Sequence, residues 1–447
     1  MSSEVVAAPR RGRPPARNEV LRANRLGGCV PEELAAEFGT PFFAYDFDVV
    51  ERQVTGLREV LPTSFDLAYA VKSNPSLGVV GHLATLGVGA DVASAGELAT
   101  ARAAGVPGDR IVMTGPGKRD DELAAAVDAA IRVITVESLG ELRRLEAIAA
   151  TRNVRVPILL RANATAAARF ERVRIIGDEG AGKFGMGAED LLEAACHAVR
   201  SPYLDPLGVH SFGASNILDA GALADHVAST VAFARTIATR AGFPLRLVDA
   251  GGGLGIPYET DEEPLDLAEF GRRLATIAAE LAGDPVTRDT RVLLEPGRYL
   301  VGPAGAYVAR VVDRKVVDGR DVAILDGGIH HVLRPVLVGQ EHRVRRLAPA
   351  GGNIEPSTRF APVNVAGPLC TGLDVLATQT MLHPPQPGDL VAVLDVGAYG
   401  FTESMPFFLS HPIPAEVAVR GGRARLLRPR LEPATWLGWQ SVPDWSD

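Results

Sequence analysis

The segment Phe65–Asn74 reads FDLAYAVKSN, an apolar run that delivers a single lysine, Lys72, near its end. The run predicts a buried β-strand, and Asn74-Pro75 predicts its end because proline lacks a backbone donor. A lysine at this position is costly to desolvate as an ammonium and readily loses its proton, which suits a lysine that forms a Schiff base. The alternative is a strand-end lysine that reaches solvent, and residues further along the chain favour the first interpretation.

Seven more Val/Ile/Leu-rich runs follow and alternate with stretches of helical period. Eight such units are typical of a (β/α)8 barrel, or TIM barrel, while a doubly wound open sheet is the second possibility. The predicted strands are Phe65–Val71, Val88–Val92, Ile111–Met113, Val133–Val136, Ile158–Arg161, Gly208–Phe212, Leu245–Val248 and Val292–Leu294. The predicted helices include Leu77–Leu86, Ala95–Ala104, Asp121–Ala130, Leu139–Thr151, Ala188–Val199, Ala220–Ala241 and Leu267–Ala282.

Polar or glycine residues stand at the carboxyl end of strand after strand, which favours the barrel. In a barrel those ends converge on one mouth, where active sites lie. The residues are Lys72, Asp91, Gly115-Pro116-Gly117, Glu137, Arg161, His210, Gly251-Gly252-Gly253 and Glu295.

After Gly305 the helical period is lost, and strand-like runs are separated by Gly, Pro and Asn/Asp turns. This predicts a second, antiparallel β-barrel or sandwich domain beside the barrel. Its predicted strands are Val308–Val317, Asp321–Leu325, Val363–Ala366 and Leu390–Val396. The predicted division is a disordered basic tail at residues 1–24, a segment joining the β domain at 25–46, the barrel at 47–305 and the β domain at 306–447.

The composition narrows the class of protein. A chain of 447 residues with 47% hydrophobic content can bury a large core, and a net charge of −8 gives no broad electrostatic footprint for nucleic acid. The three cysteines are widely spaced, which disfavours disulfides and cysteine metal sites and predicts a cytoplasmic protein. We expect no metal and no membrane segment, and order beginning near Leu26. The run Arg10–Pro15 can fit an A·T minor groove, but we interpret it as part of the disordered tail.

Two more strand ends carry residues that can bind an anion or hold a charge. The glycines 251–253 offer bare backbone N–H groups to an anion, where the alternative is a plain tight turn. Glu295 precedes Arg298, and the alternative for these two is a buried ion pair. A carboxylate beside a pyridine nitrogen keeps a pyridoxal ring protonated. The lysine, the anion cradle and the acid are the three contacts that pyridoxal 5'-phosphate (PLP) needs.

At this point the chain resembles the fold-type III PLP-dependent amino-acid decarboxylases, which have an alanine racemase-like barrel and include diaminopimelate and ornithine decarboxylases. The matching segments follow the family's order over nearly the whole chain after the tail. They are Tyr69–Asn74, Asp91–Leu98, Thr114–Lys118, Lys183–Met186, Asp249–Gly255, Glu295–Arg298, Gly367–Cys370 with Asp374, and Gly397–Tyr399.

The resemblance implies a role for each matching residue. Lys72 would bind PLP as a Schiff base, Glu295 would contact the ring nitrogen, and Cys370 would return a proton to Cα after carbon dioxide leaves. Without the resemblance, a free cysteine is usually a small buried hydrophobe. The implied cofactor-binding set is Lys72, Asp91, Arg161, His210, Phe212, Ser215, Gly251, Gly252, Gly253, Glu295, Arg298 and Tyr399. The implied substrate-binding set is Arg298, Arg334, Thr371, Asp374 and Phe407.

The family also implies a homodimer in which the partner subunit supplies the cysteine-bearing segment. One departure concerns the cofactor: Phe212 stands where the family stacks a histidine on the ring, with His210 two residues earlier. Phe212 can still cover an aromatic face.

Further departures concern the substrate. Thr371 stands where the family has an acid that binds the substrate's distal amino group, and Val338 replaces a polar residue. A hydroxyl cannot replace the charge that an ammonium needs when it leaves water. Arg334 resembles the arginine that holds a distal carboxylate in diaminopimelate decarboxylases, and the alternative is a surface ion pair.

These residues predict a PLP-dependent decarboxylase of an L-amino acid or derivative that lacks a free distal ammonium, such as an acylated or carrier-protein-linked one. The segment His342–Arg346 is a candidate docking site for an acyl carrier protein, although we interpret it as a solvated charged loop. The alternatives are a diaminopimelate decarboxylase, a racemase on the same barrel, and a non-catalytic PLP-binding homologue.

Overall fold

The computed structural model describes residues 20–163, 182–213, 215–259, 261–348 and 359–445. The predicted tail lies outside the described residues as far as residue 19. Val20, the first described residue, is already buried in a cluster with Leu26 and Leu34, so packing begins earlier than the expected start of order near Leu26. The first elements are β1 (Leu21–Arg22), β2 (Arg25–Leu26), α1 (Pro31–Phe38) and β3 (Phe42–Asp46).

Eight parallel strands then close into a barrel in sequence order, with the last strand paired to the first. The barrel predicted from the sequence is therefore confirmed, and the open sheet is excluded. The strands are β4 (Phe65–Ala70), β5 (Gly89–Val92), β6 (Ile111–Met113), β7 (Val133–Val136), β8 (Val156–Arg161), β9 (Leu204–His210), β10 (Leu247–Asp249) and β11 (Arg291–Leu294).

Helices surround the barrel. They are α2 (Phe47–Val60), α3 (Leu77–Thr85), α4 (Ala95–Ala103), α5 (Asp120–Asp128), α6 (Leu139–Arg152), α7 (Ala188–Arg200), α8 (Ala220–Ala241), α9 (Leu267–Gly283) and α10 (Arg298–Val301). Several begin at a Ser or Asp whose side chain accepts a hydrogen bond from a backbone N–H of the first turn, as Ser94 does for α4 and Asp266 for α9. Among the described residues, no helix is both long and apolar enough to cross a bilayer.

The barrel interior is filled by side chains from six of its strands, so it is a packed core rather than a pore. These residues, Ala68, Val112, Val133, Leu159, Leu247 and Leu293, form a cluster of their own. Because the interior is filled, an active site can lie only at an end of the barrel.

The remaining strands form a second sheet, and β3 is part of it. They are β12 (Gly305–Val317), β13 (Arg320–Leu325), β14 (Val344–Arg346), β15 (Ala361–Ala366), β16 (Val375–Leu382), β17 (Leu390–Leu394), β18 (Ala415–Arg420) and β19 (Arg423–Arg428), with the short helices α11 (Arg334–Leu337) and α12 (Pro433–Leu437). Most pairs are antiparallel as predicted, but β13 pairs with β15, and β3 with β18, in parallel. The sheet is therefore mixed rather than purely antiparallel.

The β domain reaches the barrel beside Lys72. The backbone N–H of Tyr399 donates to the carbonyl of Ser73 at 2.7 Å, and the Asn74 side chain donates to the carbonyl of Gly397 at 2.9 Å. Tyr399 has a φ of +54°, an unfavourable conformation for a bulky residue. The two hydrogen bonds hold the segment against the turn that carries the lysine.

Candidate active site

A cavity lies at the carboxyl ends of the barrel strands. Residues that are far apart in the sequence meet on its wall: Ala70, Lys72, Phe212, Ser215, Gly252, Gly253, Leu254, Glu295, Gly297, Arg298 and Tyr399. Most residues expected to bind a cofactor are in this set. The other four, Asp91, Arg161, His210 and Gly251, are buried and are not part of the wall.

Lys72 lies in a short 3-10 turn, Val71–Ser73, directly after β4. Its Nζ is 5.6 Å from the centre of the Phe212 ring and is reached through the cavity. Burial lowers the pKa of Lys72, but neighbouring charges, that of Asp91 foremost, outweigh burial and leave the pKa raised. The expected easy loss of the proton is therefore wrong for the free protein, because carboxylates at other strand ends stabilise the ammonium.

Glu295 belongs to a buried polar cluster with His210 and Asp249. His210 Nε2 is 3.6 Å from Glu295 Oε2, and all three side chains are buried. Burial raises the pKa of Asp249 well above its usual range, and the charge of Glu295 adds to this effect. Burial also raises the pKa of Glu295, but His210 and Lys72 outweigh it, so this pKa is lowered. Asp249 therefore keeps a proton while Glu295 stays ionised.

The glycine run shapes the opposite wall. Gly251 has a φ of +66°, and a Cβ there would lie 2.8 Å from the Phe212 ring. A Cβ on Gly252 would collide with the carbonyl oxygen of Glu295. Only glycine fits such close backbone approaches, and the exposed N–H groups that result suit an anion.

Arg298 supplies positive charge beside this glycine run. Its Nη1 donates to Tyr258 Oη at 2.8 Å, and its Nη2 donates to Ser215 Oγ at 3.4 Å. The guanidinium lies 4.8 Å from the centre of the Tyr399 ring, while its Nε has no partner among the described residues. Arg298, Ser215 and the glycines therefore form a cationic pocket with donors to spare.

Asp91 and Arg161 are fixed by neighbours on adjacent strands. Asp91 accepts a hydrogen bond from Thr114 Oγ1 at 2.9 Å, and Arg161 Nη1 donates to Glu137 Oε1 at 2.7 Å. Burial raises the pKa of Asp91 to about 7, with a further contribution from the charge of Glu295. This carboxyl can therefore exchange its proton near neutral pH beside Lys72.

Cys370 is not on the cavity wall of its own chain; it is exposed on a turn of the β domain. The turn is held by Asp374, whose buried carboxylate accepts the backbone N–H groups of Ile329 at 2.8 Å and Leu369 at 2.7 Å. Asp374 therefore shapes the turn, and its expected contact with the substrate stays a prediction. Phe407, also expected at the substrate, is 53% exposed and packs edge-on against Trp436.

Arg334 is not a surface residue, since its side chain is only 11% exposed. Its Nη1 donates to Glu403 Oε2 at 2.6 Å and its Nε donates to Gln340 Oε1 at 3.2 Å. The guanidinium lies 5.0 Å from the centre of the Tyr399 ring. Arg334 thus borders the cavity through Tyr399 but is already paired within the chain.

The segment His342–Arg346 differs from both interpretations of the sequence. It runs into strand β14, where Arg343 pairs with Asp395 at 2.8 Å and Arg346 pairs with Asp389 at 2.9 Å. The interpretation as a solvated charged loop is wrong, because the strand and its ion pairs bury these side chains. The same pairing removes the support for carrier docking at this segment.

Sequence reasoning did not identify several residues that support the site. Asp249 could have been found as the last residue of a strand before the glycine run. The others, Tyr258, Gln340, His342 and Glu403, lie in loops or at a strand edge without a recognisable pattern. They contact Arg298, Arg334 or one another only because the fold brings distant parts of the chain together.

The donor set fits PLP. Lys72 faces a cavity with an ionised glutamate on one side and a cationic glycine-rich pocket on another, and buried polar atoms of His210, Asp249, Glu295 and Arg298 have no partner among the described residues. An aldehyde, a pyridine nitrogen and a phosphate would satisfy these three features. The fold and site thus define a PLP-dependent enzyme built on a (β/α)8 barrel.

Comparison with known proteins identifies the family of PLP-dependent enzymes to which the chain belongs. Residues 47–302 match the family model described as "Pyridoxal-dependent decarboxylase, pyridoxal binding domain". The chain belongs to this family, the fold-type III PLP-dependent decarboxylases, and it is a carboxy-lyase that uses PLP.

Two curated relatives are similar over nearly the whole chain. The L-glutamyl-[BtrI acyl-carrier protein] decarboxylase of Niallia circulans is 35% identical over 88% of this chain and 92% of that protein. The diaminopimelate decarboxylase of Methanothermobacter thermautotrophicus is 34% identical over 94% of this chain and 95% of that protein.

Two solved structures share the whole architecture. Diaminopimelate decarboxylase from M. jannaschii superposes with a TM-score of 0.87 at 26% identity, covering 95% of this chain and 98% of that one. The Helicobacter pylori diaminopimelate decarboxylase complexed with L-lysine gives 0.81 at 30% identity, covering 91% and 98%.

Proposed function

We propose that this enzyme decarboxylates an L-amino acid derivative whose distal end is neutral, as in an acylated or carrier-protein-linked amino acid. One observation carries the proposal: Arg334, which would hold a distal carboxylate, is paired with Glu403 at 2.6 Å. Thr371 agrees with it, because a hydroxyl after Cys370 offers no charge to a distal ammonium. A free diamino diacid such as diaminopimelate would therefore find no free arginine for its distal carboxylate and no acid for its distal ammonium.

Each step of the proposed reaction is assigned to particular residues of this chain. Lys72 would hold the cofactor, Arg298 with Ser215 and the glycine run would bind its phosphate, and Glu295 would keep its ring nitrogen protonated. When bound, PLP supplies the electron sink for the charge left at Cα when carbon dioxide leaves. Phe212, on the cavity wall, would cover the ring face and exclude water. Cys370 Sγ donates a proton to Cα.

The proposal includes a homodimer. Cys370 is exposed on its turn and lies off the Lys72 cavity, so the thiol serves a site that a second copy completes. Leu373, on the same turn, is 61% exposed and suits a protein interface. The domain division at residues 47–305 and 306–447 and a cytoplasmic location belong to the same proposal.

The similarity to the glutamyl carrier-protein decarboxylase supports a tethered substrate. A carrier-linked glutamyl group has a neutral distal carbonyl in place of a carboxylate, which agrees with the pairing of Arg334. The second candidate is diaminopimelate decarboxylation. The retention of Arg334 and the similarity to several such enzymes favour it.

The test is a substrate panel. Purified protein loaded with PLP is mixed with meso-diaminopimelate, L-ornithine, L-glutamate, L-glutamine, a γ-acylated glutamate and glutamyl-loaded acyl carrier protein. Carbon dioxide release and the amine product are measured by mass spectrometry. Turnover of the acylated or carrier-linked forms supports the proposal. Efficient lysine production from meso-diaminopimelate contradicts it. A protein that shows the PLP absorbance band but releases carbon dioxide from none of these compounds would be the non-catalytic PLP-binding homologue.

A further inference from the structure

Glu403, four residues after Tyr399, was not among the residues expected at the site. Its Oε2 is 2.6 Å from Arg334 Nη1, and the two side chains are 34% and 11% exposed. A pair this short and this sheltered from water is stronger than an exposed surface ion pair. It occupies the Nη1 donor of Arg334.

A second contact holds Arg334 from another side. His342 Nδ1 lies 2.9 Å from the carbonyl oxygen of Leu394, so this nitrogen carries the hydrogen and Nε2 is left as an acceptor. Gln340 Nε2 lies 3.0 Å from His342 Nε2 and donates to it, which turns Gln340 Oε1 towards Arg334. Burial lowers the pKa of His342 to about 4, so the ring stays neutral and this orientation persists at neutral pH.

The Tyr399 ring provides the third contact and links the pair to the cavity. The guanidinium groups of Arg334 and Arg298 lie 5.0 Å and 4.8 Å from its centre. Gln340 Oε1 is also 3.5 Å from Arg298 Nη1. Arg334 is therefore fixed beside the cavity with an ion pair, a neutral acceptor and an aromatic face already in place.

We propose that Glu403 acts as an internal substitute for a substrate's distal carboxylate at Arg334, and thereby selects amino acids whose distal carboxyl is an amide, ester or thioester. This inference rests on the proposed function and names the residue that sets its selectivity. A substrate with a free distal carboxylate meets the charge of Glu403 and must displace it from Arg334. A neutral distal carbonyl is not repelled by Glu403 and does not have to displace it from Arg334.

The experiment measures binding apart from turnover. The PLP-loaded protein is titrated by calorimetry with glutarate, adipate and pimelate, which lack an amino group and cannot be decarboxylated through the cofactor. Glutaramate, with one neutral amide end, is the reference ligand. The variants are Glu403→Gln, Glu403→Met and the double variant Glu403→Gln/Arg334→Gln. Asp321→Asn is the matched control, because Asp321 also pairs with an arginine, Arg314, away from the cavity.

We expect the Glu403 variants to bind at least one dicarboxylate about tenfold or more tightly than the parent, the size of a charge-assisted contact. Glutaramate binding should change little, and Asp321→Asn should behave like the parent. The double variant should lose the gain, which assigns it to Arg334.

Two results overturn the inference: dicarboxylate binding that is unchanged in both Glu403 variants, or a gain that persists without Arg334. The proposed function fails separately. If the parent decarboxylates acylated glutamate but the Glu403 variants bind dicarboxylates no more tightly, the role of Glu403 is wrong and the proposed substrate class stands. If the parent releases carbon dioxide efficiently from meso-diaminopimelate, the proposed substrate class falls instead.

Discussion

At the scale of single residues, position at a strand end was the informative signal. Lys72 and Glu295 could be predicted because each follows an apolar run, and parallel strands bring such ends together. Glu403 could not be predicted, since its partner Arg334 is 69 residues away and the contact exists only in the folded β domain. The protonation states were also beyond the sequence, because they depend on which charges the fold places around each group.

Replacing Lys72 tests the residue on which the cofactor assignment depends. We expect borohydride reduction of the PLP-loaded parent to leave a pyridoxyl group on Lys72, detectable by peptide mass spectrometry. Lys72→Ala should show no such adduct and should lose activity by at least about 10²-fold, since a nucleophilic contact is removed. A pyridoxyl group on another lysine of the parent would contradict the assignment.

Glu295→Gln tests the ionised acid. The variant keeps the shape of the side chain but cannot stabilise a protonated ring nitrogen, so we expect kcat to fall by about 10²-fold or more. The absorbance of bound PLP should shift while PLP stays bound, because the phosphate pocket is intact. Glu432→Gln, on an exposed side chain of the β domain, is the control. Unchanged kcat in Glu295→Gln would exclude this role.

At the scale of elements, the barrel was predictable and much of the β domain was not. Each barrel strand is short, apolar and followed by a long helical stretch, so its period is visible. Strands β14, β16, β18 and β19 were missed because one face of each carries polar or charged residues, so none of them reads as a plain apolar run. The Gly421-Gly422 turn between β18 and β19 was a hairpin signal for the last two of these strands.

A buried pair of histidines after β13 predicts acid sensitivity. Burial lowers the pKa of His330 to about 4 and that of His331 well below its usual range, and their ring centres are 3.7 Å apart. Between pH 6.5 and about 4 the unfolded chain therefore binds more protons than the folded one, so stability falls as the pH falls.

The variant His330→Leu isolates this contribution. We expect its free energy of unfolding, from urea titrations at several pH values, to fall less steeply in that window than the parent's, by up to about 1.4 kcal/mol per pH unit. The comparison with the parent cancels the contributions of carboxylates common to both. Equal slopes would show that His330 does not titrate differently in the two states.

At the scale of the whole molecule, one chain does not bring all the predicted catalytic groups together. Lys72 lies on the cavity wall, whereas Cys370 is exposed on the β domain and is not part of that wall. Sequence similarity implied a shared site, but the sequence carries no local signal of it, because a free cysteine in a turn looks the same whichever chain it serves. Two inactive variants can decide between a shared and a self-contained site.

Lys72→Ala and Cys370→Ala are each expected to be inactive as pure homodimers, since every site lacks one group. When equal amounts are unfolded and refolded together, random pairing makes about half of the dimers mixed, and each mixed dimer has one site with both native residues. Activity should therefore return to about a quarter of the parent's. If each chain used its own cysteine, mixing would restore nothing, because no chain in the mixture carries both groups. Mixing without unfolding is the control, and it should restore activity only as fast as subunits exchange.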